Sequence, residues 1–251
     1  QKRSVGIPNA LNPVMVKEFR CRRFGRLHWL LRLVVVCAVL SLALTYATTA
    51  GTFDWGVEMI GGIMVVMQVA LIVLIAPSLS AGLLSAETEA GGWQLLQTTP
   101  LSVGRIIGGK LLSAFLPLLL ILCATMPGYL VMAYIDPGMW LQVRLVLVCL
   151  ALTAVFSMLC SAAVGCLSLR TAAATASAYG VLLAICGLPL LVWMGRDAPF
   201  GHGVVEASLS LSSVAAAFSV IRIPGFQDYD LIPANWWLLG VGCVISLAVL
   251  L

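Results

Sequence analysis

Glu87 and Glu89 stand two residues apart, and the run Gly104-Arg105-Ile106-Ile107-Gly108-Gly109-Lys110 follows them across a short polar stretch. Glycines ahead of a lysine are what a phosphate loop needs. They let backbone N–H groups close around phosphate oxygens while the lysine reaches the terminal phosphates. Here the pattern fails, because Leu111 stands where Ser or Thr must follow the lysine to hold a metal ion. The chain carries no nucleotide-hydrolysing loop of its own. Other reactive sets are equally incomplete. No H-E-x-x-H occurs, the histidines are His28 and His202, and no pair of aspartates falls within an apolar run. Eight cysteines are present; all but Cys21 sit in apolar runs, with no C-x-x-C spacing. They read as small packing residues. No catalytic, metal or cofactor site is expected in this chain.

The polar stretch therefore has to be explained by what surrounds it. Of 251 residues, 61% are hydrophobic and 10% charged, and the mean hydropathy is +1.08. A soluble domain carries about 25% charged residues, so this chain reads as a polytopic membrane protein. The first residue is Gln1 rather than Met, and the last apolar run reaches Leu251 without a polar cap, so further chain is expected at both ends. No cleavable signal pattern precedes the first apolar run.

Six runs are long enough to cross a bilayer as helices: 27–49, 57–84, 106–135, 143–168, 171–195 and 234–251. A seventh, 204–221, contains Glu206 and five serines, and is expected to be a re-entrant or interfacial helix. With the N-terminus inside, eleven of the 14 Lys and Arg residues fall on the inner side, and Arg144, Arg196 and Arg222 on the outer. That asymmetry predicts cytoplasmic termini and a cytoplasmic loop between spans two and three. Trp55, Trp140, Trp193, Trp236 and Trp237 fall at the outer ends, as aromatic anchors. Pro77, Pro117, Pro127 and Pro189 are expected to kink their spans. The small residues Ala172 to Ala178, Ser161 and Gly165, and Gly104 and Gly108 allow close helix packing or a dimer seam. No charged residue lies near the centre of a span.

Two cytoplasmic segments follow. In 1–26, Asn12 and Pro13 suit a helix start, and Val14, Val16, Phe19 and Phe24 alternate with Lys17, Arg20, Arg22, Arg23 and Arg26. That is a basic amphipathic helix lying on the inner membrane surface. In the segment 85–105, Trp93, Leu96, Pro100, Val103 and Ile107 recur at helical spacing. Pro100 divides the segment into a helix over Glu89–Thr98 and a second piece capped by Thr99 or Ser102. A short helix with a bend on each side makes a firm knob that a cytoplasmic partner can push.

Glu87-x-Glu89-x-Gly91, Leu95-Leu96, Thr99-Pro100-Leu101-Ser102, and Ile106 with Gly109-Lys110 together resemble the hallmark of ABC-2 type transporter permeases. Asn12-Pro13 with Glu18 and Arg20 resembles the N-terminal connecting helix of that family. Gly92-Trp93 and Gln94 depart from the residues common there. The resemblance runs over essentially the whole chain, 1–251, as a single transmembrane permease domain with an outer loop at 196–233. It implies an all-α integral membrane fold with six transmembrane helices in the cell membrane, an N-terminal amphipathic helix, a cytoplasmic coupling helix between spans two and three, and a re-entrant or interfacial helix between spans five and six.

The resemblance further implies a subunit of an exporter with no ATPase activity of its own, paired with a second permease subunit. A separate ATP-binding cassette ATPase, holding ATP and Mg, would dock on Glu87, Glu89, Gly91, Trp93, Gln94, Leu95, Leu96, Pro100 and Ser102. Glu18, Arg20, Arg22 and Arg23 would belong to the interfacial helix, against membrane lipid. No nucleic-acid partner is expected. Two other classes compete: an ATP-independent channel or secondary transporter, and a non-transporting membrane subunit that relays ATPase motion to a periplasmic or other outer partner. Paired broken helices in an inverted repeat would mark the secondary transporter, and no clear repeat is present.

Overall fold

A computed structural model of the protein describes residues 24–49, 57–89, 91, 102–196 and 200–250. Among these residues all regular structure is helical. The elements are α1 (Phe24–Thr49), α2 (Val57–Ser80), α3 (Gly82–Glu89), α4 (Val103–Ile135), a 3-10 turn (Pro137–Met139), α5 (Trp140–Cys166), α6 (Thr171–Met194), α7 (His202–Leu209), α8 (Ser213–Ile221) and α9 (Ile232–Leu250). Each of the six apolar runs of the sequence becomes helix. The second run does not stop at residue 84. After a single turn residue, Ala81, α3 carries the helical path on to Glu89, so the two glutamates sit on helix rather than in a loop.

Among the described residues five stretches are long and apolar enough to cross a membrane, with α2 and α3 taken together, and the bent pair α7–α8 would make a sixth if it were one span. Helix α1 has 26 residues, about 39 Å at 1.5 Å per residue, against a hydrocarbon core of about 30 Å. Helices α6 and α9 bury only 17% of their apolar windows inside the protein. Leu183, Leu188, Leu191, Val241, Val244 and Ile245 are all exposed. In water such a surface would drive association; in lipid it is the required one. The chain is thus an all-helical protein of multi-pass membrane character.

Short connections make the long helices antiparallel. The α4–α5 corner is closed by Asp136, whose carboxylate accepts the Gly138 N–H at 2.9 Å. At one end of the bundle lie Glu89, the start of α4, the α5–α6 turn, and Leu250, which packs with Ile107 and Ala162. At the other lie Asp136, Trp140, Trp193 and the start of α9. The largest core joins α2, α4, α5 and α8 through Ile60, Met64, Tyr129, Val146, Leu150 and Ile221. Pro77, Pro117, Pro127 and Pro189 all lie inside helices.

The 204–221 run forms two helices rather than one, meeting at 108°. Its serines account for the break. Ser208 and Ser210 donate to the carbonyls of Val205 and Ala207, and Ser212 caps α8 by accepting from Ala215 N. The tip is pinned to α6 by Ser212 Oγ donating to Cys186 O at 3.0 Å, and to α9 by Asn235 Nδ2 donating to Ser210 O at 2.8 Å. Both ends of the pair sit near Trp193. His202 stacks on Tyr229 with centroids 4.8 Å apart, and Trp193 donates to Gly225 O at 3.2 Å. The segment goes in and returns at the same end, as a re-entrant helix would.

Candidate functional site

The polar stretch between the second and third runs begins on α3. This helix leans on α5 at its first turn, where a Cβ on Gly165 would collide with the Ala81 carbonyl. Only glycine lets the two backbones approach that closely. From this fixed start α3 presents Leu83 and Glu87, one turn apart, to α4. Lys110, in the third turn of α4, is buried. Its Nζ donates to Leu83 O at 3.0 Å and to Glu87 Oε1 at 2.9 Å. A buried ammonium is tolerated only when a carboxylate and further acceptors replace its water, and both are supplied by α3.

Glu89, the last residue of α3, turns to α6. Its Oε2 accepts the backbone N–H of Thr171 at 3.0 Å. Thr171 is the first residue of α6, and the residue before it, Arg170, is extended and gives no side-chain cap. The leading N–H groups of a helix need outside acceptors, and a carboxylate there also meets the positive end of the helix dipole. Glu89 therefore caps α6 from 82 residues away in sequence. It lies beyond the apolar run 57–84 and is exposed. The Thr171 backbone N–H, then the Thr171 side chain and the nearby Arg170 charge, hold its carboxyl below the ordinary carboxylate range.

Gly91 follows with φ +69° and its N–H donated to Thr88 O at 3.1 Å. A Cβ there would meet nothing within 4 Å, so the glycine serves the backbone conformation and not space. Ser102 occupies the cap position of α4. It is extended, its carbonyl accepts from Arg105 N and Ile106 N, and its side chain makes no cap bond. Trp93, Gln94, Leu95, Leu96 and Pro100, and with them the expected helix over Glu89–Thr98, lie outside the described residues apart from Glu89 itself. So do Glu18, Arg20, Arg22 and Arg23 and the rest of the basic N-terminal segment before Phe24, and Trp55.

Of the sequence-predicted site, then, Glu87, Glu89, Gly91 and Ser102 are placed, and the first two converge on one junction of α3, α4 and α6. Two members of that junction, Lys110 and Thr171, were not expected there from sequence. Lys110 belongs to the family-like Gly109-Lys110 pair, but its pairing with Glu87 was not expected; the signal for it was a lysine several residues inside an apolar run. Thr171 had none, because a backbone N–H carries no side-chain signature. No protein-family model matches this chain, and no curated protein does.

Proposed function

We propose that this chain is the membrane permease subunit of an ATP-binding cassette exporter of the ABC-2 type, driven by a separate ATPase that docks on the 87–102 segment. The observation that carries this reading is the coincidence of sequence and geometry at one place. The stretch that resembles the family's hallmark is also where α3 is bolted to two long helices, to α4 through Glu87–Lys110 and to α6 through Glu89–Thr171. A push delivered to the end of α3 would pass into both helices. In this arrangement Glu87 and Glu89 are the anchors of the lever, and the ATPase contact falls to Trp93, Gln94, Leu95, Leu96 and Pro100.

The permease works as a pair, in the cell membrane, with both termini and the docking segment on the cytoplasmic side. The open face of α6, with Ala172, Ala173, Ala176 and Ser177 exposed, suits close approach of a second subunit. Its partner ATPase would hold ATP and Mg.

The test is co-purification with the ATPase encoded beside this gene, alongside thermal unfolding. Trp93→Ala should weaken docking by about 2 kcal/mol and leave the melting temperature unchanged. Glu89→Lys should lower both. A Trp93→Ala protein that binds the ATPase fully and supports ATP-dependent transport overturns the docking assignment. Transport that persists without any ATPase points instead to a channel or secondary transporter.

A further inference from the structure

An apolar groove runs between α2 and the returning limb of the re-entrant pair. Met59, Gly62, Ile63 and Val66 form one wall, and Phe218 and Ile223 the other, around about 390 Å³. That volume is within the range of small-ligand sites, yet the lining offers no charged side chain. Met59, Ile63 and Val66 are exposed. Gly62 gives the groove its shape, since a Cβ there would strike the Ile223 side chain.

Next in the chain to one wall of this groove is a cation in an unusual conformation. Arg222 directly precedes Ile223 and closes α8 in the left-handed conformation, φ 62° and ψ 42°. The turn is made by backbone bonds alone, Arg222 N to Ser219 O and Ile223 N to Phe218 O, both 3.2 Å. Glycine is the residue that suits such a position, and a side chain there is a burden to the turn. Arg222 is exposed, and among the described residues no carboxylate lies within 4 Å of its guanidinium.

A slot whose lining carries no charge and an exposed, forked cation one residue from its wall together match one kind of molecule. We propose that α2 and α8 form a binding site for an anionic phospholipid of the surrounding leaflet. An acyl chain lies along Met59, Ile63, Val66 and Phe218, and the phosphate pairs with Arg222. The guanidinium fork suits phosphate oxygens. The site is separate from the α3–α4–α6 junction, at the opposite end of the bundle, and does not depend on the function proposed above.

The full chain in nanodiscs tests this with two photoactivatable probes, phosphatidylglycerol and phosphatidylcholine, each carrying a diazirine in the acyl chain. Phosphatidylglycerol should label peptides covering 59–67 and 218–223 about fivefold more than phosphatidylcholine, the order expected for one basic residue at a membrane surface. Arg222→Lys should keep most of that preference. Arg222→Gly should abolish it while thermal stability holds or rises, because glycine suits the backbone there. Equal labelling by the two lipids, or an unchanged preference in Arg222→Gly, overturns the proposal in favour of ordinary annular lipid. Val66→Trp fills the groove and should reduce labelling of both peptides. If it instead converts a pair to monomers with lipid labelling intact, the groove is the seat of a second copy.

Discussion

Lys110 Nζ lies 2.9 Å from Glu87 Oε1, with the lysine side chain 4% exposed and the glutamate 23%. The two ends of this ion pair are therefore not equivalent. Glu87 can reach water if its partner is lost; Lys110 cannot. Glu87→Ala should destabilise by about 2–3 kcal/mol, because it strands a buried ammonium, below the 3–5 kcal/mol of a wholly buried pair. Lys110→Met should cost about 1 kcal/mol, since methionine fills the space and the carboxylate rehydrates. The double variant Glu87→Ala/Lys110→Met should be more stable than Glu87→Ala alone. Thermal unfolding of the purified protein reads all three, and equal losses for the two single variants would show that the pair is effectively solvated.

The cap on α6 is read locally. Glu89→Ala leaves the Thr171 N–H without an acceptor, so hydrogen exchange over the first turn of α6 should quicken, with the end of α5 unchanged. Glu89→Gln keeps an acceptor and should exchange at an intermediate rate. The folded carboxyl is more acidic than the unfolded one, so its contribution is complete above the ordinary carboxylate range and is lost as pH falls through its lowered value. The difference between wild type and Glu89→Gln should thus be present at neutral pH and vanish in strong acid. A difference that grows on acidification would mean that another group holds α6.

Much of the fold was legible because the bilayer leaves few options. Apolar runs of sufficient length must be helices, and the boundaries of 106–135 and 171–195 agree with α4 and α6 to within a few residues. The serine content of 204–221 signalled something other than a plain span, and it became a bent pair. The junction was less legible. Composition places Glu87 and Glu89 in a polar stretch, but which helix each one grips depends on the rotation of α3 about its axis. That rotation is set by the Gly165–Ala81 approach, a contact between residues far apart in sequence. Glu89 in particular was expected at the start of a helix over Glu89–Thr98; it is the last residue of α3, and its carboxylate caps α6.

Two glycines separate steric need from tolerance. A Cβ on Gly165 would collide with the backbone carbonyl of Ala81, which has no flexible end to move aside. Gly165→Ala should destabilise by about 1–3 kcal/mol, the scale of overpacking, and loosen the start of α3. Gly108, inside α4, has nothing within 4 Å of its Cβ position. Gly108→Ala should be neutral or stabilise the isolated subunit by up to about 1 kcal/mol. Paired melting curves decide this. A Gly108→Ala protein that folds well yet fails to pair would assign the Gly104–Gly108 face to the subunit interface.

The proposed orientation rests on charge and on the alternation of helix ends. Arg105, Lys110 and Arg170 gather at the Glu89 end of the bundle, while Arg144, Arg196 and Arg222 belong to the Trp193 end together with Asp136, Asp228 and Asp230. Adding the basic N-terminal segment gives the eleven-to-three bias on which the proposed orientation, with the Glu89 end toward the cytoplasm, rests. A cysteine-free background carrying Thr98→Cys should react with an impermeant maleimide only in inside-out vesicles. Asp228→Cys should react only in right-side-out ones. Because α4, α5, α6 and α9 are joined antiparallel, the two reporters must lie on opposite faces whichever way the bundle points, so labelling of both from one face would contradict the fold. Labelling of Thr98→Cys from outside and Asp228→Cys from inside would keep the fold but invert the protein, and would put the docking segment out of reach of any cytoplasmic ATPase.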